Sequence, residues 1–209
     1  MSVSLVWFVA VGVFGNPAPS DAQAAWNKLQ ARMEKATSAA GRIEIRQLGW
    51  TETYHFKFLR PNLAKFSSKE TVMVQDGRSL FTYFPSDNRY SEASAAKTGL
   101  PTGTAFNLGG LTGLEALAFP NEPTLRPTQL LERQFEGKAC KALVLTSPEN
   151  AEAKIVLYLD ASNGLPAGWR YAAKGFDALG IFRELRLDVP LKASDFSWSK
   201  PAGASRIRP

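Results

Sequence analysis

The spacing of apolar residues changes near residue 40, and the change divides the chain. Trp26, Leu29, Met33, Ala36 and Ala40 recur at i, i+3, i+7, i+10 and i+14, along one helical face. Gln23, Lys28, Arg32 and Lys35 fall largely off that face. Ser20-x-x-Gln23 has the form of a capping box and Gly41 suits a helix stop, so the pattern predicts one amphipathic helix over 21–40. Beyond it the period becomes two. Ile43 and Ile45 alternate with Arg42, Glu44 and Arg46; Tyr54, Phe56 and Phe58 alternate with Thr53, His55 and Lys57. Such alternation predicts half-buried strands, here with an aromatic inner face. Arg60-Pro61-Asn62 turns the chain, Val72 and Val74 lead into an Asp76-Gly77 hairpin, 78–84 forms the partner strand, and 89–91 pairs back after a turn at 85–88.

Residues 93–123 break the pattern. They are apolar, with Lys97, Glu115 and Glu122 as their only charges, and five glycines from Gly99 to Gly113 oppose a rigid helix before Leu114. The segment reads as an apolar flap with one short helix, and 128–133 as a second helix. The period of two returns at 142–145, 154–160, 168–173 and 180–187, with turns at Asn163-Gly164-Leu165-Pro166 and at 175–178. The end of the chain, after Asp195-Phe196-Ser197-Trp198, is a basic tail expected to be flexible. With neither repeat nor linker, the pattern predicts one domain over 21–209: mainly β, a long antiparallel meander with an N-terminal helix and a central insertion.

The first twenty residues stand apart. Residues 1–15 carry no charged side chain, and 4–14 is an apolar run too short to span a bilayer but long enough for the core of a secretory signal. Small residues at cleavage spacing follow, so 1–20 is expected to be a signal peptide that exports the protein to a periplasm; an uncleaved signal would anchor it to the membrane instead. No cysteine follows that run, so no lipid attachment is expected there.

Composition narrows the function. At 44% hydrophobic and 21% charged, the 209-residue chain is globular rather than disordered. The net charge of +6 is spread over single lysines and arginines, a pattern that argues against nucleic acid and fits anionic head groups better. Cys140, alone of its kind, can form neither an intrachain disulfide nor a metal cluster, and reads as a small apolar strand residue. His55, the single histidine, faces away from Phe56 and Phe58 by alternation. The chain has no Gly-x-Ser-x-Gly elbow, no phosphate-binding loop, and no His/Cys cluster for a metal. The expectation is a protein that is not an enzyme and takes no cofactor or metal, although two carboxylates distant in sequence would leave no local mark.

Four segments, in order, resemble the LolA/LolB-like superfamily of periplasmic lipoprotein carriers. Residues 56–66, Phe-Lys-Phe-Leu-Arg-Pro-Asn-Leu-Ala-Lys-Phe, are similar to the family's aromatic strand, Arg-Pro turn and aromatic return. Residues 74–83 resemble its Asp-Gly hairpin, 156–166 its late hairpin, and 196–203 its closing Phe-x-x-x-x-Pro-x-Gly. The resemblance implies an unclosed antiparallel β half-barrel with an N-terminal helix and a central helical or loop lid, holding acyl chains in its apolar concavity. Each methylene so held saves roughly 0.8 kcal/mol of exposure to water. The implied wall is Phe56, Phe58, Phe66, Phe81, Tyr83, Trp169 and Tyr171, and the implied lid contributes Phe106, Leu111 and Leu114. Arg60 matches the arginine that tethers the lid of the family's carrier when closed, donating to lid carbonyls; otherwise it only snorkels at a strand end. The implied function is a soluble, monomeric periplasmic carrier that binds acyl chains of lipoproteins or lipids and delivers them towards the outer membrane, between an inner-membrane exporter and an outer-membrane acceptor. The alternatives are a sensor or binding module of the same fold that recognises an envelope protein or lipid, and a scaffold whose cavity is filled by its own side chains.

Overall fold

The computed structural model describes residues 20–94, 126–146, 154–173 and 175–207. One helix, α1 (Asp21–Lys35), precedes the strands β1 (Ser38–Gln47), β2 (Trp50–Leu59), β3 (Leu63–Ser67), β4 (Val72–Asp76), β5 (Ser79–Phe84) and β6 (Arg89–Ser94). Then come β7 (Arg126–Phe135), β8 (Lys138–Thr146), β9 (Lys154–Asp160), β10 (Pro166–Ala173), β11 (Phe176–Leu187), a short 3₁₀ turn at Ala193–Phe196, and β12 (Ser205–Arg206). All strands join one open sheet in the order β12-β6-β5-β4-β3-β2-β1-β11-β10-β9-β8-β7. Every pairing is antiparallel except that of β12 with β6. The predicted half-barrel sheet is therefore present, mainly β and unclosed.

Four expectations are corrected. The helix ends at Lys35, and Ser38, Ala39 and Ala40 already belong to β1. Ser20 does cap it, its Oγ accepting from the Gln23 N–H at 3.3 Å, and Leu29, Met33 and Ala36 are buried as the helical face requires. Ala40 continued that spacing only because small residues of a buried strand fit either period. Residues 128–133 lie inside β7, not in a helix: Leu130 and Leu131 pair with Leu143 and Ala142 of β8. The turn placed at 175–178 is tighter, for β11 already starts at Phe176. The tail is not free throughout, since Ser205 and Arg206 pair with Arg89 and Tyr90. Residues 95–125, which hold most of the expected lid with Phe106, Leu111 and Leu114, lie outside the described residues, as do 1–19.

Register assigns every strand residue to one of two faces, because directly opposed residues point the same way. On the inner face Ile43 and Ile45 of β1 share rows with Tyr54 of β2, Phe182 and Gly180 of β11, and Trp169 of β10. Leu157 and Ile155 of β9, then Leu143 and Leu145 of β8, continue it. These residues and the buried side of α1 form the main core. Bare backbone at two points lets rings lie flat on the sheet. A Cβ at Gly41 would fall 2.1 Å from the Glu184 carbonyl oxygen and 2.8 Å from Phe56 Cζ, and one at Gly180 would fall 2.2 Å from Trp169 Cε2. The break in register between Arg42 and Ile43 leaves an extra residue in β11 and bends the sheet there.

The outer face is held by charge and by a smaller core. Glu44 meets Arg46 at 2.6 Å and Arg183 at 2.9 Å, and both arginines reach Glu136 in the β7–β8 turn. Beside them Phe135 stacks on Tyr158 with centroids 4.1 Å apart, over Gly168. Burial alone would raise the Glu44 pKa, but hydrogen bonds and charge from Arg183 and Arg46 hold it below the ordinary carboxylate value. A lowered folded-state pKa contributes stability that is complete above the unfolded pKa and is lost as pH falls through the folded one. Glu44→Gln is therefore expected to cost about 1 kcal/mol at pH 7, the scale of a partly exposed ion-pair network. The urea midpoints of variant and parent should converge as the pH drops below 4.5, the carboxyl's ordinary value. A gap that stays constant with pH would exclude the ionised carboxylate as the source.

Candidate functional site

The inner face of the sheet is a continuous apolar surface. From Leu130 on β7 it crosses Leu143, Leu157, Trp169, Gly180, Ile43 and Phe56, and ends on Phe66 of β3 and Met73 of β4. Of the wall residues expected from sequence, Phe56, Phe58, Trp169 and Tyr171 lie buried on this face, and Phe66 lies half-buried beside them. Phe58 and Phe66 meet edge to face at 5.1 Å, and Phe56 meets Phe182 the same way at 6.0 Å. Strands about 4.8 Å apart make this face several tens of ångströms wide, whereas a helix with its side chains is about 10–12 Å across. Among the described elements α1 packs on this face, lying mainly against β7 and β8.

Phe81 and Tyr83 are not part of that wall. Phe81 pairs with Val74, and Val74 with Lys65, which stands opposite Lys57; Tyr83 pairs with Val72, in the row of Ser67 and His55. That is the outer face. There Trp198 stacks on Phe81 at 5.4 Å and contacts Tyr83 and Tyr90, while the turn at Ala193–Phe196 packs on β3 and β4. Lys57 Nζ approaches Asp195 at 3.8 Å on the same side. The aromatic strand β5 thus faces the chain's own C-terminal segment. Alternation alone could not settle this, because β5 is half-buried along its whole length.

Arg60 follows the end of β2 with inner-face parity and holds α1. Its Nε donates to the Ala36 carbonyl at 2.8 Å, its Nη2 to the Met33 carbonyl at 3.2 Å, and its backbone N–H to the Thr37 carbonyl at 3.0 Å. The last carbonyls of a helix lack partners within it and carry its negative pole, so a guanidinium there both satisfies and neutralises them. The Arg32 guanidinium, one turn back, donates to the Asn163 carbonyl in the β9–β10 turn. Arg60 thus bonds the end of α1, and the central insertion to which the sequence pointed lies outside the described residues.

One polar feature of the inner face escaped the sequence reading. Glu52 continues the row of Tyr54, Phe56 and Phe58, and the Tyr54 hydroxyl donates to its Oε2 at 2.6 Å. Burial, followed by the hydrogen bond and charge of Glu52, pushes the Tyr54 phenol above its usual pKa. The other carboxylate oxygen, Oε1, is buried with no hydrogen-bond partner among the described residues, and so is the indole N–H of Trp169. Each such orphan costs about 1–3 kcal/mol or more. The available signal was a carboxylate in phase with an aromatic stripe. Among the described residues no group of three or more His, Cys, Asp or Glu could hold a metal ion, and no helix is long and apolar enough to cross a membrane.

Comparison with known proteins bears on the fold. No protein-family model matches the chain. An uncharacterized protein of Methanocaldococcus jannaschii is 24% identical over 204 residues, 94% of this chain, and the chain spans 57% of that relative's length. Among solved structures, an uncharacterized conserved protein from Thermus thermophilus aligns over 90% of this chain and 99% of its own, with a TM-score of 0.57 and 13% identity. MucB aligns over 88% of this chain and 65% of its own, with a TM-score of 0.53 and 15% identity. A LolA superfamily protein from Nitrosomonas europaea aligns over 85% of this chain and 97% of its own, at a TM-score of 0.38 and 15% identity. At these identities the likeness is one of fold alone.

Proposed function

We propose that this protein is a non-catalytic acyl-chain binder, a carrier that holds the apolar chains of a lipid or lipoprotein between the concave sheet and α1. The carrying observation is the extent of the apolar inner face, which runs from β7 to β4 and on which α1 packs among the described residues. A guest of variable apolar length suits a broad apolar face with only a few polar groups on it. The LolA-like fold and the signal-like first twenty residues support export, with delivery across a periplasm as the corresponding task and Arg60 as the latch on the helix.

A second reading has its own support. MucB, of similar fold, has been solved in complex with MucA, so a protein segment is an alternative occupant of this fold. The test is native mass spectrometry of the protein recovered from the envelope of its own source, followed by displacement of a fluorescent acyl probe by stearate. A co-purified lipid or acylated peptide and micromolar or tighter probe binding are the expected results. A protein that carries no lipid and takes up no probe, while capturing an unacylated envelope protein, would overturn the carrier in favour of the binding module.

A further inference from the structure

We propose that the concave face contains a receptor for a hydroxyl group, formed by Glu52 and Trp169, and that the preferred guest is a hydroxylated acyl chain. The inference rests on the acyl-chain reading above and deepens it. Glu52, Ile45, Gly180 and Trp169 form one row of register partners across β2, β1, β11 and β10, all on the inner face. Trp169 is fully buried, and its Nε1 has no hydrogen-bond partner among the described residues; Glu52 Oε1 is buried and equally unpartnered. A donor and an acceptor thus stand unsatisfied at the two ends of one row.

The row leaves a span that a bridging group can share. Three strand steps separate the ends of the row by about 14 Å. The bare backbone of Gly180 lets the indole lie over β11, where a Cβ would sit 2.3 Å from Nε1, so the donor is one step nearer Glu52. Two strand steps, roughly 10 Å, then separate the donor from the Glu52 backbone, a span that the glutamate side chain shares with the bridging group. Tyr54 already donates to Oε2, which fixes the carboxylate and leaves Oε1 as the open acceptor. A hydroxyl matches both ends, giving its proton to Oε1 and accepting the indole N–H. A plain methylene chain satisfies neither end, and an ionised carboxylate or a phosphodiester has no proton to give Oε1.

The experiment measures displacement of the acyl probe from the full chain by a positional series of monohydroxystearates and by stearate. At least one isomer should bind about tenfold more tightly than stearate. That ratio should fall towards one in Trp169→Phe, which keeps a ring but removes the donor, and in Glu52→Met, which keeps length but removes the acceptor. Taking the ratio within each variant cancels any general change in the apolar site. If no isomer gains over stearate, or the gain survives in both variants, the receptor is refuted; a buried water joining the pair gives the first of these results. If neither stearate nor any isomer binds, the acyl-chain reading itself fails, which is a different result from stearate binding without discrimination.

Discussion

Gly41→Ala is expected to destabilise the protein by about 3 kcal/mol or more, lowering the urea midpoint by roughly 1.5 M. The added methyl would stand 2.1 Å from the carbonyl oxygen of Glu184 and 2.9 Å from its carbonyl carbon, both backbone, with the Phe56 ring at 2.8 Å. Neither obstacle yields cheaply. The backbone belongs to β11 beside the register break, and Phe56 is 2% exposed within a cluster of three other rings. Gly49→Ala is the control. It occupies the β1–β2 turn at φ +81° with nothing within 4 Å of its would-be Cβ, so it pays only the left-handed backbone cost of about 1–2 kcal/mol. A Gly41→Ala midpoint within about 0.3 M of the parent would mean that β1 and β11 can separate without loss, and the inner face would not be the rigid wall described.

That glycine shows why part of the fold was legible and part was not. Ile43 and Ile45, or Phe56 and Phe58, announce their common face through period two, because water on one side and core on the other leave no other arrangement. The turns at Asp76-Gly77 and Asn163-Gly164 were equally plain, for both glycines take positive φ. Gly41, by contrast, read as the stop of a helix. The run Ser38-Ala39-Ala40-Gly41 is made of small residues that fit a helix or a tightly packed strand, and only the rings and backbone lying over it decide between them. In β7, Leu130 and Leu131 are adjacent apolar residues without alternation, so the pairing with β8, a non-local contact, fixed what local pattern left open.

The candidate site divides in the same way. Phe56, Phe58, Phe66, Trp169 and Tyr171 fall together on the inner face because each shares a row with another inner residue. Phe81 and Tyr83 went astray because β5 is apolar on both faces: Leu80 is in the row of Phe58, whereas Phe81 meets Trp198. An aromatic strand names a core without saying which of two cores, and the outer one is built by a segment more than a hundred residues away. Glu52 was overlooked for the opposite reason. A charged residue near a strand end normally reaches water, and its burial depends on Tyr54 and on the curvature of a sheet that no local pattern encodes.

Arg60→Leu should loosen the end of α1 without dissolving the sheet. The guanidinium donates to the Met33 and Ala36 carbonyls, hydrogen bonds from a charged group worth about 1.5–3 kcal/mol, and the variant leaves those carbonyls at the negative end of the helix with one source of satisfaction fewer. Amide exchange in the last turn of α1 should quicken by roughly 10- to 100-fold, while strand amides in β1 and β11, held by their own ladder, keep near-parental protection. Arg60→Lys retains the charge but not the planar fork that reaches two carbonyls, so it should fall between parent and leucine variant. On the proposed function the acyl probe then enters Arg60→Leu faster than the parent, because the closed arrangement has lost a latch and the wall is intact. Unchanged exchange in α1 would show that Arg32 and the apolar face of the helix suffice to hold it, and would remove Arg60 from the mechanism. Faster exchange with unchanged probe entry would keep the latch and separate it from the path of the guest.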